Sequence, residues 1–265
     1  MKRYSFIGAG NMAYAIIGGM GSGAAVTVYD KLASQYDKFG GAVDIAASAA
    51  DAVRVADYVV LSVKPQNFKE VLSKIRESGV DLSGKTFISI AAGVKISSIC
   101  EALGKEVPVV RTMPNTPLLI GKGVTALSRN DAVDDACFDE VKALFSSLGS
   151  IMLLAEDKMN AVIAATSSAP AYIYYIIDCI AKEAVAEGLD GKDVLSAVCE
   201  MVKGSADMVL SSEKTPAELV KMVTSPNGTT ERAMKVFYEG GLDLMIAKAM
   251  KECTKRAEEL SSELD

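Results

Sequence analysis

Residues 4–22, YSFIGAGNMAYAIIGGMGS, constrain the fold more than any other stretch of the chain. A strand-like run, YSFIG, meets Gly8-Ala9-Gly10-Asn11-Met12-Ala13, and a helical pattern over 11–22 begins at once. This is the GxGxxA turn of a parallel βαβ unit. Gly8 allows the tight turn, Gly10 lets backbone approach a pyrophosphate, and Ala13 lets the helix pack closely. The N–H groups that open the helix, at Asn11 and Met12, then face the phosphates. The other reading, a glycine-rich turn without a ligand, is weakened by the second strand that follows in the right place, AVTVYD at 25–30.

The alternation continues. Further β-rich runs lie at 58–63, 86–90, 108–113 and 123–128, with helical periodicity at 66–78 and 131–147. Phe68, Val71, Leu72 and Ile75 share one face of the first of these helices. Strand alternating with helix implies a doubly wound, parallel sheet covered on both sides. After residue 155 the pattern becomes helical, at 157–187, 191–211, 215–223, 229–239 and 241–264. The expected fold is therefore α/β: a Rossmann-type domain at 1–155 followed by an all-α domain at 156–265. A chain of 265 residues is long enough for both.

The segment 157–187 is apolar nearly all round, with Ile173, Ile176, Ile177 and Ile180 interleaved by Tyr172, Tyr174 and Tyr175. Such a helix needs more cover than one small bundle supplies, which points to a homodimer; a central helix in a monomeric bundle is the alternative. A net charge of -6 without a basic stripe speaks against gripping nucleic acid or an anionic membrane. The five cysteines show neither a CxxC pair nor a metal-ligand spacing, so reduced thiols, no metal and a cytoplasmic location are expected. No run is long and apolar enough to span a bilayer, and the N-terminal apolar run reaches its glycines too soon for a signal peptide.

Asp30 closes the second strand, where an acid accepts from a ribose 2′-OH and favours NADH; Lys31 and Ser34 beside it suit the 2′-phosphate of NADPH, and Asp30 could also cap a helix. Val63-Lys64-Pro65 and Met113-Pro114-Asn115 follow two other strands, at the sheet edge where open α/β folds bind ligands. The Asn115 amide could orient a carboxamide such as that of nicotinamide, although both segments could equally be structural turns.

The chain contains no histidine. Reducing a ketone calls for a proton carrier, commonly His, Lys or Tyr, whereas an imine can arrive already protonated and need only hydride and positioning. Ser225-Pro226-Asn227-Gly228-Thr229-Thr230 suits that demand. Backbone N–H groups of Asn227, Gly228 and Thr229 at a helix start could hold a carboxylate, with Thr230 Oγ1 reaching a ring nitrogen. A plain helix cap by Ser225 or Thr229 is the competing reading.

Taken in order, IGAGNMA (7–13), SVKPQ (62–66), SIAAGV (89–94), RTMPNTP (111–117), GVTAL (123–127), APAYIYYIIDCIAKEAVAEGL (169–189), SPNGTT (225–230) and EGGLDLMIAKAMKECTKRAEEL (239–260) resemble the pyrroline-5-carboxylate reductase family. The resemblance implies NADPH- or NADH-dependent reduction of 1-pyrroline-5-carboxylate to L-proline, the final step of proline biosynthesis, by a homodimer that assembles further into rings. It also implies that Asn227, Gly228 and Thr229 bind the substrate carboxylate, Thr230 bonds the ring nitrogen and Ser225 shapes the pocket. Val63, Lys64 and Pro65 would line the nicotinamide ribose and phosphates, with Met113, Pro114 and Asn115 near the nicotinamide.

Some positions depart from the family pattern. Ser167-Ser168-Ala169-Pro170-Ala171-Tyr172 stands where the family usually reads GSGPAY, Asn227 replaces a glycine of SPGGTT, and Ala49 stands where an Asn is frequent. Two rivals share the layout. A β-hydroxyacid dehydrogenase relies on a Lys with an Asn four residues later, but Lys158 and Lys182 are followed at that spacing by Val162 and Ala186. A non-catalytic dinucleotide sensor would not need the SPNGTT turn.

Overall fold

The computed structural model describes residues 1–263, so the last position of the helix expected at 241–264 lies outside the described residues. The chain divides into two compact units, Met1–Ser168 with the C-terminal segment from Glu252, and Ala169–Lys251.

In the first unit β1 (Lys2–Ile7) turns into α1 (Asn11–Gly19), followed by β2 (Ala24–Tyr29), β3 (Asp44–Ile45), α2 (Ala49–Val55), β4 (Tyr58–Leu61) and α3 (Phe68–Glu77). Next come β5 (Thr86–Ser89), α4 (Ile96–Leu103), β6 (Val109–Met113), β7 (Gly123–Arg129), α5 (Asp135–Ser146) and β8 (Gly149–Leu153). The strands form one sheet in the order β3-β2-β1-β4-β5-β6-β7-β8. The order reverses between β1 and β4, which creates a crevice at their carboxyl ends. Two apolar layers cover the sheet. One gathers Leu61, Phe68, Leu72, Ile75 and Ile99; the other gathers Phe6, Ile16, Val60, Leu127 and Phe145. Phe68, Leu72 and Ile75 of α3 are buried as their spacing predicts, each worth about 1.5–3 kcal/mol.

The sheet departs from the expected all-parallel arrangement at one place, where β7 runs antiparallel to β6. Only residues 114–122 join these strands, whereas a parallel crossover needs about a dozen or more. Four elements carry too weak a sequence pattern to be expected. β3 pairs through two residues, α2 and α4 are short, and β8 is largely exposed rather than alternating. Ser48 starts α2 by accepting the Asp51 N–H at 3.1 Å.

The continuous helix expected at 157–187 is interrupted. A single 3-10 turn precedes α6 (Met159–Val162), a π-helical stretch occupies Ile163–Ser167, and α7 (Ala169–Ala186) starts with Pro170 in its first turn, where a missing N–H is harmless. The second unit continues with α8 (Gly191–Ser211), α9 (Pro216–Val223), α10 (Thr229–Glu239) and the first ten residues of α11 (Leu242–Ser262). Within it α7 packs on α8, yet no residue of α7 is buried. Ile173, Tyr174, Tyr175, Ile176 and Ile180 are all exposed. From Glu252 onward α11 belongs to the first unit, where Ala257 and Ser261 are buried and Ser261 Oγ donates to the Gly93 carbonyl.

Candidate active site

The glycine turn is fixed by three backbone-centred bonds. Gly8 N–H donates to the Tyr29 carbonyl at 2.7 Å, Ala9 N–H donates to Asp30 Oδ2 at 2.8 Å, and Ser62 Oγ donates to the Gly8 carbonyl. Gly8 has φ +100°, and a Cβ there would stand 2.6 Å from the Ser62 carbonyl oxygen. Gly10 is the reverse case: nothing lies within 4 Å of where its Cβ would be. It caps α1 without a side-chain acceptor, leaving the first N–H groups of the helix for a ligand. This cradle fits a pyrophosphate.

The cradle opens on a cavity of about 590 Å³ lined by Gly8, Gly10, Asp30, Lys31, Val63 and Lys64 among others. These sit at the carboxyl ends of β1, β2 and β4, the reversal point of the sheet. Asp30 is more constrained than its position suggested: its second carboxylate oxygen accepts the Leu32 N–H at 2.9 Å, so it shapes the loop as well as facing the cavity. Asn11 is exposed at the start of α1, with Lys38 Nζ 3.5 Å from its Oδ1, whereas the Met12 side chain turns into the core. Pro65 starts the short turn at the head of α3 and does not line the cavity. Ser62, Glu70 and Lys74 also line the cavity, and Tyr36 supports Asp30 from behind. Ser62 was legible inside SVKPQ; the Tyr36 hydroxyl, which bonds the Asp30 backbone at 2.7 and 2.8 Å, left no sequence signal.

Met113, Pro114 and Asn115 do not line this cavity. Asn115 departs from the expectation of a carboxamide-orienting side chain. It is buried, its Oδ1 accepts the Val124 N–H at 2.9 Å, and its Nδ2 donates to the Thr166 carbonyl at 3.1 Å. Those bonds hold the Met113-Pro114 loop against β7, so the amide acts on the scaffold. Arg111, two residues before Met113, is only 3% exposed. Its guanidinium donates to Glu156 Oε1 at 3.3 Å and Asn160 Oδ1 at 2.7 Å, and burial lowers its pKa. Glu156 Oε1 also accepts the Ile96 N–H at 2.7 Å, tying the start of α4 to the strand that carries this loop.

In the second unit, Ser225–Thr230 forms a closed turn into α10. Gly228 N–H donates to the Ser225 carbonyl at 2.9 Å, and Asn227 adopts φ +59°, the one left-handed non-glycine among the described residues. Asn227 N–H is taken as well, by Glu231 Oε2 at 2.8 Å. Two of the three N–H groups expected to meet a carboxylate are thus engaged within the turn. The first-turn groups of Thr229 and Thr230 are the ones α10 leaves without a capping side chain.

The family described as pyrroline-5-carboxylate reductase dimerisation matches residues 156–260, and the NADP oxidoreductase, coenzyme F420-dependent family matches residues 3–93. The chain is 38% identical to the pyrroline-5-carboxylate reductase of Pseudomonas aeruginosa, over 99% of this chain and 98% of the relative. The chain belongs to the pyrroline-5-carboxylate reductase family. The Escherichia coli member is 35% identical over 98% of both chains. Among solved structures of the family, the Plasmodium falciparum reductase with NADP bound superposes with a TM-score of 0.89 at 26% identity, covering 98% of each chain. The Coxiella burnetii reductase gives 0.85 at 32% identity, covering 97% of this chain and 98% of the other. Among the described residues of this reductase-family chain, no helix is long and apolar enough to cross a membrane.

Proposed function

We propose that the chain reduces the C=N bond of 1-pyrroline-5-carboxylate to give L-proline, with NADPH or NADH as reductant. The observation that carries this reading is the open space beside Gly10 at the start of α1, set at the sheet reversal in a chain matched end to end by members of the reductase family. Gly8, Gly10 and the N–H groups of Asn11 and Met12 would hold the pyrophosphate. Asp30 and Lys31 would meet the adenosine ribose. Val63 and Lys64 would border the nicotinamide ribose and phosphates, with Pro65 fixing the turn that follows them, Met113 and Pro114 beside the nicotinamide and Asn115 fixing their loop. When bound, the reduced nucleotide supplies hydride.

The rest is positioning by the chain. Thr229 and Thr230 N–H groups, at the positive end of α10, would receive the substrate carboxylate. Ser225, Asn227 and Gly228 hold those donors in place. Thr230 Oγ1 would bond the ring nitrogen and fix the orientation of the imine carbon. The iminium form already carries the proton that the product amine keeps, so a chain without histidine suffices.

Residues 1–155 would carry the nucleotide, and 156–265 the substrate turn and the dimer contact. The exposed apolar residues of α7 support a homodimer, with rings as a further level of assembly. All five cysteines are free, which suits the cytoplasm. The test is loss of reduced-nicotinamide absorbance on adding 1-pyrroline-5-carboxylate, with native protein and with Thr230→Ala. Native turnover, with the variant slowed by about 1–3 kcal/mol and still binding nucleotide, is expected. Nucleotide binding without oxidation by the native protein would refute the reading.

A further inference from the structure

We infer that Glu231 is a positioning residue of the substrate turn, fastening Asn227 so that the first-turn N–H groups of α10 meet the substrate carboxylate. This rests on the proposed placing of the substrate at residues 225–230. Asn227 is held in a left-handed conformation, which for a non-glycine residue persists only when its surroundings enforce it. Two bonds do so. One is the turn closure from Gly228 N–H to the Ser225 carbonyl. The other comes from Glu231, the third residue of α10, whose side chain reaches back over the first turn to accept the Asn227 N–H at 2.8 Å. The bond lies one residue outside a capping box: Glu231 takes the N–H of Asn227, which precedes the N-cap Gly228, while the Gly228 N–H closes the turn on Ser225.

Without Glu231 the turn keeps only the closing bond from Gly228 N–H to the Ser225 carbonyl, and the peptide leading into Thr229 and Thr230 is held less firmly. A receptor for an anion built from backbone donors depends on their prior alignment, so the loss falls on substrate binding. The carboxylate is needed here as an acceptor. Its charge is no help to an anionic substrate two residues away, and Lys221, Arg232 and Lys235 line the same cavity between α9 and α10 as Glu231. Glutamine offers the same acceptor oxygen at the same reach without the charge.

The experiment compares steady-state KM values of Glu231→Ala, Glu231→Gln and Gly228→Ala, with thermal melts of each. Glu231→Ala is expected to raise KM for 1-pyrroline-5-carboxylate by about fivefold to tenfold, the effect of one lost hydrogen bond, without changing KM for NADPH. Glu231→Gln should restore KM to the native value or below. Gly228→Ala tests the underlying site independently, since a Cβ there would stand 2.9 Å from the Ser225 carbonyl oxygen, against the backbone of the turn. If Gly228→Ala raises the substrate KM and Glu231→Ala leaves it within twofold or lowers it, the role of Glu231 is overturned while the site stands. Equal impairment by Glu231→Gln and Glu231→Ala also overturns it. If neither Gly228→Ala nor Glu231→Ala moves the substrate KM, the placing of the substrate at this turn fails.

Discussion

Replacing the two glycines of the nucleotide turn by alanine should separate folding from ligand binding. Gly10 has φ -71° and ψ -176°, a conformation open to any residue, and its Cβ would project into empty space. Gly10→Ala should therefore change unfolding free energy by less than about 1 kcal/mol, the scale of an N-cap substitution. That empty space is where a phosphate must lie to reach the N–H groups of α1. Losing one charge-assisted contact there costs about 1.5–3 kcal/mol, so the nucleotide Kd should rise about tenfold to a hundredfold. Gly8→Ala works the other way. Left-handed strain of about 1–2 kcal/mol adds to overpacking of about 1–3 kcal/mol, because the Cβ would meet the Ser62 carbonyl carbon at 2.8 Å as well as its oxygen. Urea unfolding without nucleotide gives the first quantity, and calorimetric titration with NADPH gives the second. Native affinity in Gly10→Ala would refute the cradle. Unfolding of Gly10→Ala at lower urea than Gly8→Ala would show that the two roles are exchanged.

Other expectations can be checked on the same protein. Ser167 Oγ is buried without a partner among the described residues, so Ser167→Ala should stabilise by about 0.5–2 kcal/mol in a thermal melt; a lower Tm would reveal a partner for that hydroxyl. Glu156→Ala should cost about 2–4 kcal/mol by urea unfolding, because it leaves the buried Arg111 guanidinium without its counter-charge and with only Asn160 as partner, and an effect below about 1 kcal/mol would contradict that. The Asp57 carboxyl is held below its ordinary range, chiefly by the hydrogen bond from Arg3. Its contribution is complete above about pH 4, the unfolded value, and is lost as pH falls through the lower folded value. Melts taken between pH 6 and 2.5 should fall less steeply in Asp57→Asn than in the native protein.

Much of the fold was legible because it rests on local rules. GxGxxA after a strand, β-branched runs, and the spacing of Phe68, Val71, Leu72 and Ile75 each require a particular backbone or face regardless of what packs nearby. The direction of β7 was not legible from residue type, since parallel and antiparallel strands draw on the same side chains; the length of the β6–β7 connection decides it. The break at Ile163–Ser167 was hidden for a related reason, because its residues are apolar or small and fit a continuous helix equally well.

The sequence by itself determined the nucleotide turn, the α/β-then-helical order and the family, since these depend on which residues stand at fixed spacings. Only the tertiary structure decided how the candidate polar groups are occupied. Asn115 faces Val124 and Thr166, Asp30 holds Ala9 and Leu32, and the Asn227 N–H meets Glu231. A polar side chain in a sequence is a capacity for hydrogen bonds. Whether a ligand or the protein takes them depends on which backbone groups the fold leaves beside it without another partner.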